Sequence, residues 1–143
     1  MPVRRVSPEE ARELMEKEGY VYVDVRSVPE FSAGHPEGAI NAPLLHAGVF
    51  GMSPNHEFVD VMQRAFTPDA RLVIGCRAGG RSLQAATILQ SVGFVNVIDQ
   101  RGGYEGTGGF FGRGEPGWRQ KGLPVSQQAP AENTWEGLKA RLR

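Results

Sequence analysis

The stretch "VIGCRAGGRS", residues 73–82, joins an apolar run to a glycine-arginine turn. It carries the one cysteine of the chain, Cys76. Upstream, "RLVIGC" (71–76) reads as a buried strand. Downstream, "RSLQAATILQSV" (81–92) reads as a helix, with Ala85, Ala86, Leu89 and Val92 at inward spacing and Gly93 as its stop. A strand that gives way to a helix across so short a loop belongs to an α/β architecture. In parallel sheets of that class, chemistry gathers at the carboxyl ends of the strands. Cys76 stands at such an end, and the expectation is an exposed sulfur.

The rest of the chain extends the alternation. "RRV" (4–6) is a strand candidate. Ser7, Pro8 and Glu10 open a helix as N-cap, first-turn proline and capping-box partner, and Gly19 closes it. "YVYVDVR" (20–26) is a second buried strand. A helical turn at "VPEFSAGH", a short strand at "GAINAP" (38–43), a helix at "NHEFVDVMQRAF" (55–66) and a strand at "VNVID" (95–99) follow. This order predicts a parallel sheet with right-handed crossovers. Residues 102–122 contain nine glycines and read as a long loop. "QQAPAE" reads as a linker. "NTWEGLKARLR" reads as a C-terminal helix, with Asn133 and Glu136 as its capping box. The domain is expected to span 1–126. Residues 127–143 form the linker and a helix that packs on the domain or on a second subunit.

Composition narrows the function classes. The 143 residues suit one core. The 16 basic and 16 acidic side chains give no net charge and form no block, which argues against nucleic acid or a membrane surface as partner. A lone cysteine makes no internal disulfide, and a reducing cytoplasm fits best. The N-terminal stretch turns polar at once, unlike a secretory signal. His35, His46 and His56 have no metal-ligand spacing with one another or with Cys76, so neither a metal nor another cofactor is expected.

The loop itself suggests what the sulfur does. Gly79 and Gly80 permit a curl that aims successive backbone N–H groups at one spot. The helix N-terminus adds partial positive charge. Arg77 and Arg81 add two cations. Sulfur in that cradle is expected to be a thiolate, a nucleophile. The bland alternative is a small core residue; it leaves the two arginines and two glycines without a purpose.

Four motifs carry a resemblance. "DVRSVPEFSAGHPEGAINAP" (24–43) resembles the signature near the start of rhodanese domains, and "CRAGGRS" (76–82) resembles their active-site loop. "GGY" (102–104) and "WRQKGLPV" (118–125) resemble their closing motif. The resemblance implies a three-layer α/β fold, with a mostly parallel five-stranded sheet and helices on both faces. It implies a sulfurtransferase working through a persulfide on Cys76. A donor such as thiosulfate would bind the loop of Arg77, Ala78, Gly79, Gly80, Arg81 and Ser82. Cyanide, a cellular thiol or a sulfur-relay protein would then take the sulfur. Arg81 would orient the donor or brace the loop, and Arg77 would face the pocket mouth. Cysteine phosphatases and arsenate reductases are the nearest rivals, but phosphatases use C-x5-R. Here four residues separate Cys76 from Arg81, a tighter ring that suits sulfur better than a phosphoryl group. A binding module of the same fold, passing sulfur only to a docked partner, is the second reading.

Asp24 and Arg26 are candidates for substrate contact or for ion pairs with the loop arginines or Glu30. His35 reads as structural and Trp118 as a core plug. Between Gly103 and Trp118 lie 14 residues, many more than the resemblance implies. Tyr104, Phe110 and Phe111 within them are candidates for a lid or an acceptor-docking surface.

Overall fold

The computed structural model describes residues 2–108 and 114–142. In chain order the elements are β1 (Arg4–Val6), α1 (Pro8–Glu18), β2 (Val21–Asp24), α2 (Val28–Ala33), β3 (His35–Pro36), β4 (Ile40–Asn41), β5 (Leu45–Gly48) and β6 (Gly51–Pro54). There follow α3 (Phe58–Ala65), β7 (Leu72–Gly75), α4 (Gly80–Ser91), β8 (Val97–Gln100), β9 (Val125–Ser126), a 3-10 turn at Ala131–Asn133 and α5 (Trp135–Ala140). The central sheet has five strands in the order β1-β8-β7-β2-β4. Each of its pairings is parallel. The architecture is thus the α/β fold with helices on both faces.

The apolar runs are long because both sheet faces are covered. Successive side chains of a strand point to opposite faces. In β7, Leu72 and Ile74 join a cluster with α3, α4 and α5 through Met62, Leu89 and Leu138. Val73 between them joins a second cluster with α1 and α2 through Leu14 and Phe31. Every β7 residue is therefore buried, and alternation is invisible in the sequence.

Local chemistry sets the element ends. Ser7 Oγ accepts from the Glu10 N–H at 3.1 Å, and the Ser7 N–H donates to Glu10 Oε1 at 2.9 Å, closing the capping box of α1. The C-terminal helix differs from expectation. Its N-cap is Thr134, whose Oγ accepts from the Gly137 N–H at 3.1 Å. Asn133 is taken up by the preceding 3-10 turn, so the cap falls one residue later. Trp135 and Leu138 of α5 are buried in the chain's own first cluster.

Two features were not foreseen. Residues 45–54 form the antiparallel hairpin β5–β6, whose tip exposes Val49 and Phe50 completely. A small sheet pairs β3 with β9 and ties residues 125–126 back to His35 and Pro36. The glycine-rich segment is pinned to the end of β7: the Tyr104 N–H donates to the Cys76 carbonyl at 2.7 Å, and the Trp118 N–H to the Gly103 carbonyl at 2.8 Å. Trp118 is fully buried, its Nε1 donating to the Pro124 carbonyl at 2.7 Å.

Candidate active site

Cys76 is the first residue beyond β7, and α4 starts at Gly80. The three residues between them must reverse direction at once. Gly79 does so at φ 99°, a left-handed conformation that side chains disfavour. A Cβ there would stand 2.5 Å from the Arg101 carbonyl oxygen, so glycine is required by space as well as by dihedral. The result aims the Gly79 N–H at Cys76 Sγ, 3.0 Å away. Ser82, in the first turn of α4, places its hydroxyl 3.4 Å from the sulfur on the other side. Among the described residues, Gly79 supplies the one backbone N–H bonded to sulfur; the expected ring of several amides is narrower than that.

The expectation of an exposed cysteine is overturned: Cys76 is 2% exposed. The cause is the curl itself, which folds over the sulfur while the 103–105 turn packs against the strand end. The Glu105 N–H donates to the Arg77 carbonyl at 2.9 Å, and a Cβ on Gly103 would overlap that same carbonyl. Sulfur therefore lies at the floor of the loop, flanked by Gly79 and Ser82.

The two loop arginines part company. Arg81 makes a two-pronged pair with Glu30 of α2, at 2.8 and 3.0 Å. Burial alone would push the Glu30 carboxyl up. Hydrogen bonds from Arg81 and Ser27, with the Arg81 charge, outweigh it and hold the group down at about 2. Arg77 is exposed, as is Ala78, and Arg77 makes no ion pair among the described residues. It borders an open basin of about 890 Å3, lined also by Arg26, Gly34, Tyr104, Glu105 and Arg119.

Asp24 and Arg26 pair with each other, not with the loop arginines or Glu30. Arg26 Nη2 reaches Asp24 Oδ2 at 2.7 Å and the Gly34 carbonyl at 2.6 Å, and Arg26 Nε binds both carboxylate oxygens. Adjacency on one strand end makes this partner the nearest, and Glu30 is already committed to Arg81. The Arg26 guanidinium lies 4.4 Å from the centre of the Tyr104 ring. Tyr104 is buried, a wall of the basin beneath Arg26. Phe110 and Phe111 lie outside the described residues. His35 stacks on Phe31 at 3.8 Å and bonds the Phe31 carbonyl through Nδ1, a packing role. Among the described residues no group of three or more His, Cys, Asp and Glu side chains is placed to hold a metal, and no helix is long and apolar enough to cross a membrane.

The sequence reading passed over Asp99 at the end of β8. Asp99 is fully buried one strand from Cys76, and its Oδ2 accepts from Arg5 Nε at 2.7 Å. An acidic residue inside the apolar run "VNVID" was the available signal. Glu105 and Arg119, paired at 2.9 and 3.0 Å on the rim of the basin, carried none.

Known proteins resemble this chain over most of its length. The family described as "Rhodanese-like domain" matches residues 7–108. Thiosulfate sulfurtransferase 16, chloroplastic, of Arabidopsis thaliana is 40% identical over 107 residues, 75% of this chain and 80% of that protein. Senescence-associated protein DIN1 of Raphanus sativus is 38% identical over 117 residues; the match covers 82% of this chain and 57% of the relative. Among solved structures, that of Rv0390 from M. tuberculosis superposes with a TM-score of 0.74 at 25% identity, over 90% of this chain and all of the other.

Proposed function

This chain belongs to the rhodanese-like domain family, and from that membership and the loop geometry we propose that it moves a sulfane sulfur through a persulfide on Cys76. A relative named thiosulfate sulfurtransferase supports sulfurtransferase chemistry in general. The observation that carries the finer reading is the Gly79 N–H held 3.0 Å from Cys76 Sγ, at the floor of a loop that opens beside an arginine-lined basin.

The proposed steps follow from that arrangement. A donor such as thiosulfate enters past Arg77, whose guanidinium offsets its negative charge. The Cys76 thiolate attacks the outer sulfur. The Sγ–S bond forms, the donor's S–S bond breaks, and sulfite departs with the electron pair. The terminal sulfur of the new persulfide carries the negative charge and occupies the mouth of the loop. A second nucleophile, cyanide or a cellular thiol, then attacks that terminal sulfur and returns Cys76 to the thiolate. This is covalent catalysis in two half-reactions. The Gly79 N–H stabilises sulfur in both, as an oxyanion hole stabilises oxygen. Arg81 does not bind the donor in this scheme; its charge is engaged by Glu30, and it fixes the start of α4.

The burial of Cys76 favours a second reading, a persulfide carrier that exchanges sulfur only when a partner protein opens the loop. Mass spectrometry after thiosulfate treatment separates the two. Direct transfer requires a gain of about 32 Da, one sulfur, that cyanide removes and Cys76→Ser abolishes. A wild-type chain that gains nothing without a partner protein would exclude direct transfer from thiosulfate.

A further inference from the structure

The basin beside the loop is larger than the donor needs. Its volume is about 890 Å3, the size of clefts that hold drug-sized ligands rather than an ion as small as thiosulfate. Arg77, next in the chain to Cys76, borders it, and so do Val125 and Ser126 of β9. Tyr104, another wall, donates its N–H to the Cys76 carbonyl at 2.7 Å. A ligand seated there lies beside the loop that holds the sulfur.

One wall is a buried cation with donors to spare. Arg26 is 4% exposed. Its Nε and Nη2 are spent on Asp24 and on the Gly34 carbonyl. Nη1 makes no hydrogen bond among the described residues. It is not sealed from solvent, because Asp99 Oδ1 is the one buried side-chain nitrogen or oxygen without a partner among those residues. Since Arg26 borders the basin, Nη1 opens onto it. The Tyr104 hydroxyl is likewise unbonded among the described residues, unsealed and on the basin. Gly34 brings the two groups together. Its carbonyl accepts from Arg26 Nη2 at 2.6 Å, and a Cβ on it would stand 2.8 Å from Tyr104 Oη. A fixed guanidinium edge and a hydroxyl at one spot match the two oxygens of a carboxylate. Asp24 offsets the charge of Arg26, so directed hydrogen bonds hold the anion there, and Arg77 on the same basin adds a cation. Glu30 and Glu105, also on the basin, are offset by Arg81 and Arg119.

We propose that Arg26 Nη1 and Tyr104 Oη form a carboxylate subsite, and that the acceptor of the second half-reaction is a thiol that carries a carboxylate. The acceptor clause rests on the persulfide reading; the subsite does not. N-acetylcysteine and N-acetylcysteine amide differ only in the carboxylate. In transfer from the persulfide, the acid should have a KM about three- to tenfold below that of the amide, the scale of one or two solvent-reached bonds to a charged group. Arg26→Lys keeps a cation for Asp24 but lacks the fork, and Tyr104→Phe keeps the ring but lacks the hydroxyl. Each should shrink the ratio of the two KM values, a comparison in which differences in thiol reactivity cancel. An unchanged ratio in either folded variant, or an acid no better than the amide in wild type, overturns the proposal. Binding is read apart from transfer by NMR on the Cys76→Ser chain. The S-methyl thioether of N-acetylcysteine should shift the signals of Arg26 Nε–H and the Gly34 amide, and the thioether of the amide should not. Equal shifts with both, or shifts confined to Arg77 and Arg119, overturn the subsite. Thiosulfate shifting the Arg26 signal at a lower concentration than the thioether assigns the subsite to the donor and overturns the proposal. Binding at Arg26 in a protein that forms no persulfide would sink the transfer reading and leave the subsite standing; transfer without that binding would sink the subsite alone.

Discussion

Arg81 and Glu30 join the helix that follows the candidate nucleophile to the helix that follows β2, through two parallel bonds of 2.8 and 3.0 Å. Glu30 is held from its other side by the hydroxyl and N–H of Ser27, at 2.9 and 3.1 Å. The pair is half-buried, with side-chain exposures of 18% and 25%. The loop that curls over Cys76 is thus anchored at its far end to a rigid neighbour.

Glu30→Gln should loosen that anchor in a pH-dependent way. The folded-state carboxyl is held at about 2, below its ordinary 4.5. A depressed carboxyl stabilises the fold fully above its unfolded value, and that contribution is lost as pH falls towards the folded one. Wild type should therefore exceed Glu30→Gln by about 1 kcal/mol at pH 7, the scale of a well-formed, half-exposed pair. Their thermal midpoints should converge between pH 4.5 and 2. Curves that stay parallel through that window would show that the charge of Glu30 does not matter.

Asp24 and Arg26 form the more expensive pair, because neither side chain exceeds 5% exposure. Removing one partner leaves a buried charge alone. Asp24→Ala should cost about 3–5 kcal/mol in chemical denaturation. Replacing both residues by apolar ones should cost less than the sum of the single changes. Additive losses would mean that the two carboxylate contacts act independently, for instance through the Arg26 bond to Gly34 alone.

How much of this was legible in the sequence depends on which force set each feature. The parallel order of strands followed from runs such as "RLVIGC", whose burial on both faces erases alternation. The position of Cys76 between strand and helix was legible for the same reason. The partners of Arg81 and Arg26 were not: choosing among Asp24, Glu30 and a substrate needs distances between α2, β2 and α4. The burial of Cys76 was misread because strand-end position says nothing about a turn 27 residues downstream, at Gly103, that seats itself on the loop. The hairpin at 45–54 was missed since its tip "GVFG" carries fully exposed Val49 and Phe50 and no alternation. Asp99 was passed over as the last letter of a strand.

Gly79 and Gly80 look alike in sequence and should behave oppositely. At Gly79 a Cβ meets the Arg101 carbonyl oxygen at 2.5 Å and φ is 99°; at Gly80 nothing lies within 4 Å. Gly79→Ala should lose at least about 2 kcal/mol of stability and slow persulfide loading by roughly tenfold or more as its N–H leaves the sulfur. Gly80→Ala should be neutral, or stabilising by up to about 1 kcal/mol, by restricting the unfolded chain. Equal effects at both positions would refute the geometric account of the loop.

Arg77 offers the sharpest separation of binding from chemistry. Its guanidinium borders the basin and makes no ion pair among the described residues, whereas Arg119, also lining the basin, is paired with Glu105. A dianionic donor approaching the loop should therefore be drawn by Arg77 far more than by Arg119. Arg77→Ala should raise the KM for thiosulfate about three- to tenfold with little change in kcat, and flatten the dependence on ionic strength, because an exposed charge acts over a screened distance. Replacing Arg119 and Glu105 together by alanine should change KM by less than about twofold, since the pair carries no net charge. If kcat falls with KM unchanged in Arg77→Ala, then Arg77 touches the reacting sulfur rather than guiding the donor, and entry past it is wrong as a description of the first half-reaction.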